Sequence, residues 1–235
     1  MKQEQKNKIG LQSGKIVFYD VDTQNDFMRE DGALSVPGAE SLRPNLESLT
    51  NYARQNGIEI YHSRDKHFGT EEYSHVEVEL TKYGGPFGEH CMAGTYGWEN
   101  IEETTPKNPV HVESSKYSSD ELTDLLNSPG EKVLEKQSLT LFINPDTGEY
   151  GNQNAEEIAE HLKEKTMILY GVYTAHCVIF AAEGFAQRGV DVYVVEDAIY
   201  AVGAVPNESD IAIERMKAAG VKFVTTNQVV SGELF

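Results

Sequence analysis

A cysteine that follows a predicted strand and opens a predicted helix is the first candidate for chemistry. Cys177 lies in the segment GVYTAHCV, just after the strand-like run TMILYGV. Thr174 can cap the helix, which places Cys177 in the first turn, where backbone N–H groups have no helical partner. Such amides stabilise a thiolate, and those of Tyr173 and Cys177 can also hold an oxyanion. We therefore predict that Cys177 is a nucleophile beside an oxyanion hole.

Two side chains at the ends of other predicted strands can support this nucleophile. Asp22 ends the run KIVFYDVD and is a candidate acceptor for the thiol proton. Lys136 ends the run KVLEK, and its charge would keep the aspartate ionised and stabilise the thiolate. His176 is not expected to be the base, because adjacent side chains on a helix point about 100° apart. The other thiol, Cys91, lies in a glycine-rich loop without a strand-to-helix turn.

A second group of residues has the composition of a metal site. Asp65 and His67 are two positions apart, and His75 and His90 follow in the same aperiodic stretch. One carboxylate and three imidazoles form a suitable ligand set for Zn²⁺, Fe²⁺ or Mn²⁺. His75 lies in an acidic run and can equally be a solvated side chain, in which case Glu72 is the nearest carboxylate substitute. We expect these residues to bind a divalent metal ion.

The candidates fall on a regular alternation of predicted strands and helices. The apolar runs predict strands at residues 15–22, 58–62, 110–114, 132–136, 166–172, 191–196 and 222–226. The helical periodicity predicts helices at residues 42–53, 119–126, 154–163, 177–188 and 207–219. This order predicts an α/β fold with three α/β/α layers around a mostly parallel, doubly wound sheet. Ligands of such sheets bind at the carboxyl ends of the strands, which is where the four candidate side-chain types occur.

One domain accounts for the length of the chain, which has 235 residues. We predict that residues 1–14 are a flexible leader and that residues 15–235 form a single domain. Residues 63–108 have little periodicity and contain the histidines discussed above, so we predict a metal-binding insertion there. The sequence leaves open whether the chain forms a homo-oligomer.

The composition limits the classes of function. There are 20 Lys and Arg against 38 Asp and Glu, which gives a formal net charge of −18. Such a surface repels nucleic-acid phosphates and anionic lipids, so we expect neither nucleic acid nor membrane as a partner. The polar first residues lack the apolar core of a signal peptide. Two cysteines exclude a disulfide scaffold and favour a reducing, cytoplasmic location.

Taken in order, the motifs resemble those of the cysteine hydrolase (isochorismatase-like) superfamily, and within it the nicotinamidases. The resemblance covers residues 15–226, nearly the whole chain. The segments that carry it are DTQNDF from Asp22, ALSVPGA from Ala33, D-x-H at Asp65 and His67, HCMAGTYG from His90, VLEK ending at Lys136, and GVYTAHCV around Cys177.

The resemblance implies a metal-assisted amidase that converts nicotinamide and water to nicotinate and ammonia, a reaction of NAD metabolism. Cys177 would form a thioester, and Asp22 and Lys136 would complete a catalytic triad with it. A cis peptide bond precedes the nucleophile in this family, and by position it would join Val172 and Tyr173.

The resemblance also predicts how a substrate is held. In nicotinamidases the metal binds the nitrogen of the pyridine ring, which directs the carboxamide toward the thiolate. Aromatic residues sandwich the ring. By motif position these residues are Phe27 and Phe87, with Tyr173 close by.

Three departures from the family pattern concern the substrate more than the reaction. Phe87 and Gly88 stand where the family has Trp-Pro, Ala175 stands where an aspartate is usual, and Gln137 replaces the glycine after the lysine. The alternative prediction is therefore an amidase for another small amide or carbamoyl compound. A third reading, a non-catalytic small-molecule or metal-binding protein on this fold, is disfavoured by the intact cysteine, aspartate and lysine.

Overall fold

Seven parallel strands form one sheet in the computed structural model, which describes residues 13–199 and 207–234. The strands are β1 (Ile16–Val21), β2 (Glu59–Asp65), β3 (Val110–Val112), β4 (Lys132–Lys136), β5 (Thr166–Gly171), β6 (Asp191–Ile199) and β7 (Lys222–Val224). Their order across the sheet is β3-β4-β2-β1-β5-β6-β7. Because the chain winds outward from β1 in both directions, the predicted doubly wound topology is confirmed.

Helices cover both faces of the sheet. They are α1 (Asn25–Met28), α2 (Arg43–Gln55), α3 (Ser119–Asn127), α4 (Ala155–Leu162), α5 (Ile179–Gln187), α6 (Glu208–Ala218) and α7 (Thr226–Val230). Buried residues of α3 to α6 pack on one face, and those of α1, α2 and α7 pack on the other. The three-layer α/β/α prediction is therefore confirmed.

Strand β1 shows why the central strands are almost continuously apolar. Val17 and Tyr19 face the layer that contains α3 to α6, whereas Ile16 and Phe18 face the layer that contains α2. Every residue of β1 is buried. A parallel strand covered on both faces has no solvent side, so the alternation of polar and apolar residues is lost.

Several element boundaries differ from the prediction: β2 and β6 each end three residues later than expected, and two further differences have a clear local cause. The predicted strand at residues 222–226 ends at Val224, because Thr225 caps α7 and its side chain accepts a hydrogen bond from the amide of Gln228. The helix predicted from Cys177 begins at Ile179, because Thr174–Val178 forms a separate π-helical turn. The short helix α1 was not predicted, since four residues carry no periodic signal.

The segments outside these elements are irregular or partly outside the described residues. Residues 1–12 of the predicted leader and Pro206, before α6, lie outside the described ranges, whereas Ser13–Lys15 forms a 3-10 turn directly before β1. The first three residues of the aperiodic stretch belong to β2, and the rest of it, which lies wholly in the described residues, contains short 3-10 turns at Glu71–Tyr73, Thr81–Tyr83 and Tyr96–Trp98. None of the helices in the described residues is long and apolar enough to cross a bilayer.

Candidate active site and metal-binding group

Four neighbouring strands bring the three predicted catalytic residues and the predicted metal ligand Asp65 to one edge of the sheet. Asp22 follows β1, Asp65 ends β2, Lys136 ends β4 and Cys177 follows β5. The strand order β4-β2-β1-β5 makes these strand ends adjacent, and the register pairs Asp65 directly with Lys136. The parallel arrangement therefore gathers at one edge side chains that are far apart in the sequence.

Lys136 lies at the centre of a buried ionic cluster. Its Nζ is 2.9 Å from Asp22 Oδ2, and it donates hydrogen bonds to Asp65 Oδ1 and, at 3.0 Å, to Ser138 O. The same Nζ lies 3.8 Å from Cys177 Sγ. Carboxylate oxygens of Asp22 and Asp65 and the sulfur of Cys177 lie within 4.8 Å of one another. The structure therefore brings the predicted cysteine, aspartate and lysine into contact.

Ser63 on β2 orients the aspartate and was not identified from the sequence. Its Oγ donates a 2.7 Å hydrogen bond to Asp22 Oδ1, and its carbonyl accepts from the Asp22 amide at 3.3 Å. Asp22 has a positive φ of 49°, which turns the chain away from β1 at this point. The available signal was that Ser63 precedes Asp65 by two residues on one strand, so both side chains point to the same face.

Burial controls the protonation of this cluster. It raises the pKa of the Asp22 carboxyl, against the opposing charge of Lys136. It also raises the pKa of the Cys177 thiol well above its ordinary value, again against Lys136. Burial alone would lower the pKa of Lys136, but the charges of Asp22 and Asp65 outweigh it and raise that pKa. Lys136 therefore stays charged, and the thiol needs a nearby proton acceptor to become a thiolate.

The turn that carries the nucleophile differs in detail from the prediction. Its N-cap is Tyr173, so the expectation that Thr174 caps the helix is wrong; Thr174 is the first residue of the π-helical turn. The carbonyl of Tyr173 accepts hydrogen bonds from the amides of His176 and Val178, at 3.0 and 3.2 Å, which sets the turn one residue earlier. A cis peptide bond precedes Tyr173, as the resemblance predicts. The oxyanion hole at the amides of Tyr173 and Cys177 stays a prediction.

A buried group of four potential metal ligands lies beside the ionic cluster. It consists of Asp65, His67, Glu79 and His90, each with a donor atom within 4.8 Å of the others. His67 Nε2 is 3.4 Å from Glu79 Oε1, and His90 Nε2 is 3.9 Å from Asp65 Oδ2. His90 Nδ1 donates to the carbonyl of Gly88 at 2.7 Å, which leaves the lone pair of Nε2 for a metal ion.

The buried polar atoms of this group lack hydrogen-bond partners within the described residues, which fits a cation-binding site. Within the described part of the chain, neither ring nitrogen of His67 and neither carboxylate oxygen of Glu79 has a hydrogen-bond partner, although both side chains are buried. Burial, helped by the charge of Asp65, raises the pKa of Glu79 to about 8. Unpaired buried polar atoms are costly, and coordination of a divalent ion would remove that cost. The donor set of two carboxylates and two imidazoles fits such an ion.

His75 does not belong to this group, which corrects one of the expected metal ligands. Its side chain is exposed and lines a separate polar surface cavity together with Glu72. The amides of Val76 and Glu77 both donate to the carbonyl of Tyr73, so the chain turns here and His75 lies on the outside of the turn. Glu79, further along the same acidic run, supplies the fourth donor in its place.

A cavity of about 360 Å³ opens onto both the nucleophile and the metal-binding group. Cys177, Asp65 and His90 line it. The three aromatic residues predicted as ring contacts also line it, namely Phe27, Phe87 and Tyr173. The ring of His90 has its centroid 5.5 Å from that of Phe27 and 6.2 Å from that of Phe87. The aromatic walls therefore stand next to the metal-binding group.

Several other cavity residues were not singled out from the sequence. Residues 34–37, Leu139, His176 and Glu208 line the same cavity. His176, which is not expected to act as a base for Cys177, has its ring stacked on Tyr173 with centroids 5.1 Å apart. Glu208 belongs to a helix far along the chain, so no local pattern linked it to the nucleophile.

Comparison with known proteins decides the family. A family model described as the isochorismatase domain matches residues 17–228. The chain belongs to the isochorismatase family. Members of this family are hydrolases that act on amide, other C–N or related bonds, so the predicted class of reaction is confirmed at this level.

Individual relatives agree with this assignment. The secreted isochorismatase effector Isc1 of Verticillium dahliae is 29% identical over 180 residues, which are 76% of this chain and 69% of the relative. The zinc complex of a Pyrococcus horikoshii pyrazinamidase superposes with a TM-score of 0.62, covering 90% of this chain and 99% of that one at 24% identity. The PnC1 protein of L. infantum in complex with nicotinate gives 0.68, covering 92% and 94% at 19% identity. At these identities the two solved structures show that the fold is shared.

Proposed function

We propose that this isochorismatase-family hydrolase is a cysteine amidohydrolase that converts nicotinamide and water to nicotinate and ammonia. The observation that carries the proposal is that Cys177, Asp65 and His90 line one cavity with aromatic walls. Its volume of about 360 Å³ suits a small aromatic amide. The shared fold with a zinc-containing pyrazinamidase and with a nicotinate-bound protein supports the choice of substrate.

The metal-binding group would complete the site. Asp65, His67, Glu79 and His90 would hold a divalent ion, Zn²⁺, Fe²⁺ or Mn²⁺. When bound, such an ion offers a Lewis-acid contact to the ring nitrogen and thereby helps to orient the carboxamide. Phe27 and Phe87, which flank His90, would hold the faces of the ring.

The first half of the reaction needs a proton acceptor beside the thiol. Asp22 takes the proton of Cys177, and the resulting thiolate attacks the amide carbon, forming a C–S bond. The charge of Lys136, 3.8 Å from the sulfur, stabilises the thiolate. The amides of Tyr173 and Cys177 would bind the oxyanion. Asp22 then returns its proton to the departing nitrogen, and the C–N bond breaks. Ammonia is released, and the acyl group remains on Cys177 as a thioester.

The second half regenerates the thiol. Asp22 accepts a proton from a water molecule, whose oxygen attacks the thioester carbonyl. The C–S bond breaks, nicotinate is released, and the proton returns to the sulfur. Ser63 keeps the Asp22 carboxylate in place through its 2.7 Å hydrogen bond during both proton transfers. The same aspartate therefore acts as a base and as an acid in turn.

The decisive experiment is an ammonia-release assay on nicotinamide and pyrazinamide, with and without a chelator. We expect turnover of both amides by the metal-loaded protein. Chelation should lower the rate at least about tenfold, and added Zn²⁺, Fe²⁺ or Mn²⁺ should restore it, because the ligand set orients the substrate through the ion. Absence of ammonia from both amides at full metal loading would contradict the proposed function.

Another small amide or carbamoyl compound is the second candidate substrate. It is favoured by Phe87 and Gly88 in place of Trp-Pro and by Ala175 in place of an aspartate, since these positions are next to His90 and Cys177. Turnover of such a compound that is insensitive to chelation, in protein that contains no metal, would favour it over nicotinamide.

Metal content tests which residues form the ligand set. We expect Glu79→Ala to weaken Zn²⁺ binding at least about tenfold, because it removes a buried carboxylate donor from the group. The matched change His75→Ala should leave Zn²⁺ binding unchanged, since that side chain is exposed and outside the group. Calorimetric titration of the apoprotein measures both. Equal losses in the two variants would refute the assignment of Glu79.

We further propose a reducing compartment, such as the cytoplasm, and a small-molecule amide as the partner. Both cysteines are free and buried, and a free catalytic thiol persists best where thiols stay reduced. The Verticillium relative is named as a secreted protein, so the location proposed for this chain differs from that of the relative.

A further inference from the structure

A carboxylate lines the substrate cavity and has no part in the mechanism above. Glu208, the first residue of α6, lines the same cavity as Cys177. Its Oε2 accepts a 3.1 Å hydrogen bond from the hydroxyl of Tyr173. Its Oε1 is 4.0 Å from Nε2 of His176, beyond hydrogen-bonding distance. Tyr173 therefore fixes the first oxygen, and the second forms no hydrogen bond within the described residues.

The negative charge of Glu208 is not neutralised nearby. Among the described residues that line the cavity, none is a lysine or an arginine. Within 4.0 Å of the Glu208 carboxylate, the only basic side chain in the described ranges is His176, and burial lowers the pKa of that ring, which keeps it neutral near pH 7. The Glu208 carboxylate therefore has no lysine or arginine partner among the described residues of the cavity wall.

The inner part of the cavity does not offset this charge. The positive charges of Lys136 and of a divalent ion in the metal-binding group would be balanced by the three carboxylates of Asp22, Asp65 and Glu79. Glu208 therefore gives the cavity a net negative potential.

From these observations we infer that Glu208 selects substrates by charge, admitting neutral or cationic amides and rejecting amides that carry a carboxylate. The inference rests on the proposed amidase function and narrows its substrate class. A carboxylate on the ligand would lie in a partly desolvated cavity with a like charge on the wall and with no lysine or arginine among the described lining residues to pair with. A cationic substituent would instead be able to pair with Oε1 of Glu208.

The test compares three amides that share one ring. They are nicotinamide, nicotinamide with a carboxylate on the ring, and nicotinamide with an aminomethyl group at that same ring position. The variant is Glu208→Gln, which removes the charge and keeps an oxygen that can accept from Tyr173. We expect the ratio of kcat/KM for the anionic amide to kcat/KM for nicotinamide to rise about tenfold, and the corresponding ratio for the cationic amide to fall about tenfold.

Glu214→Gln is the matched control, because it makes the same charge change on the same helix at an exposed position paired with Lys217. Both ratios should stay within about twofold of the wild type in this variant. If Glu208→Gln also leaves both ratios unchanged, or shifts them in the same direction, charge selection by Glu208 is wrong, even though the amidase function stands.

Binding separates the inference from the function. Calorimetry on Cys177→Ala protein, with and without Glu208→Gln, gives Kd for the same three amides. The Kd ratios should move in the same directions as the kinetic ratios. If the wild type hydrolyses none of the amides, the amidase proposal fails, and the Kd ratios still decide the inference: a shift upholds it and equal ratios overturn it.

Discussion

Replacing Cys177 with alanine is expected to abolish ammonia release, with a loss of at least about ten-thousandfold in kcat. The thiol is the only nucleophile among the described residues that touches both the Asp22 and Lys136 side chains. Without it no thioester forms, and neither the oxyanion site nor the metal-binding group can replace it. The fold should persist, because the sulfur occupies the edge of the cavity and its removal takes away little buried volume. Ammonia release and thermal unfolding measure the two effects.

The other cysteine supplies the control for this change. Cys91 is buried, and its Sγ contacts the carbonyl of Gly97 at 4.0 Å, whereas the Sγ of Cys177 lies beside Asp22 and 3.8 Å from Lys136 Nζ. Cys91 is therefore a poor nucleophile, because burial raises the pKa of its thiol and it lacks the contact with Asp22 that would take its proton. Cys91→Ala should keep kcat within about tenfold of the wild type. Activity retained in Cys177→Ala and lost in Cys91→Ala would reverse the assignment of the nucleophile.

Replacing Lys136 with methionine is expected to lower the free energy of unfolding at pH 7 by about 3–5 kcal/mol and to remove activity. The Lys136 side chain is 2% exposed and is the counter-charge for the buried carboxylates of Asp22 and Asp65. Methionine fills a similar volume but leaves those carboxylates without a cation. Urea denaturation measures the loss of stability, and the ammonia assay measures the loss of turnover.

The pH dependence identifies the cause of this destabilisation. Burial already raises the pKa of Asp22, and loss of Lys136 raises it further. A carboxyl with a raised folded-state pKa binds its proton more readily in the folded state, so the folded state gains stability as the pH falls. The deficit of Lys136→Met should therefore shrink between pH 7 and pH 5.

A surface lysine gives the matched comparison. Lys163 pairs with Glu160, and their side chains are 46% and 74% exposed, so Lys163→Met should cost at most about 1 kcal/mol, with no effect on turnover. Full stability of Lys136→Met at pH 7 would show that Lys136 does not neutralise the buried carboxylates.

The strand ends were predictable because the sheet is parallel and buried on both faces. Apolar runs mark such strands clearly, and in four of the seven runs a residue with a possible chemical role ends the run or follows it within a few positions. The rule that ligands bind at the carboxyl ends then placed Asp22, Asp65, Lys136 and Cys177 at one edge. No knowledge of side-chain geometry was needed for this part of the site.

The metal ligands were only partly predictable, because the deciding information is burial. Glu79 belongs to a run of acidic residues that looks solvated in the sequence, yet it is 5% exposed, whereas His75 in the same run is on the surface. Residue type favoured the histidine. The turn closed by the carbonyl of Tyr73 instead places His75 on the surface and lets the chain bring Glu79 into the interior. Such turns have no helical or strand periodicity, so the sequence does not reveal them.

Residues that act across long sequence separations were missed for a related reason. Ser63 reaches Asp22 from the neighbouring strand, and Glu208 reaches Tyr173 from α6. Neither contact has a local pattern, because each depends on which elements become neighbours in the folded chain. The prediction that Thr174 caps the helix is wrong for a local reason. The hydrogen bonds of a π-helical turn span one residue more than those of an α-helix, so the first residue of the turn is shifted.

The strand order has a consequence for how activity appears during folding. Asp22 and Cys177 are contributed by β1 and β5, which pair in the centre of the sheet although most of the chain separates them in sequence. Pairing across so long a loop is slow compared with helix formation. Turnover should therefore recover during refolding only when β1 and β5 have paired. Fraying of β3 and β7, the three-residue outermost strands, should leave the catalytic residues of the central strands in place.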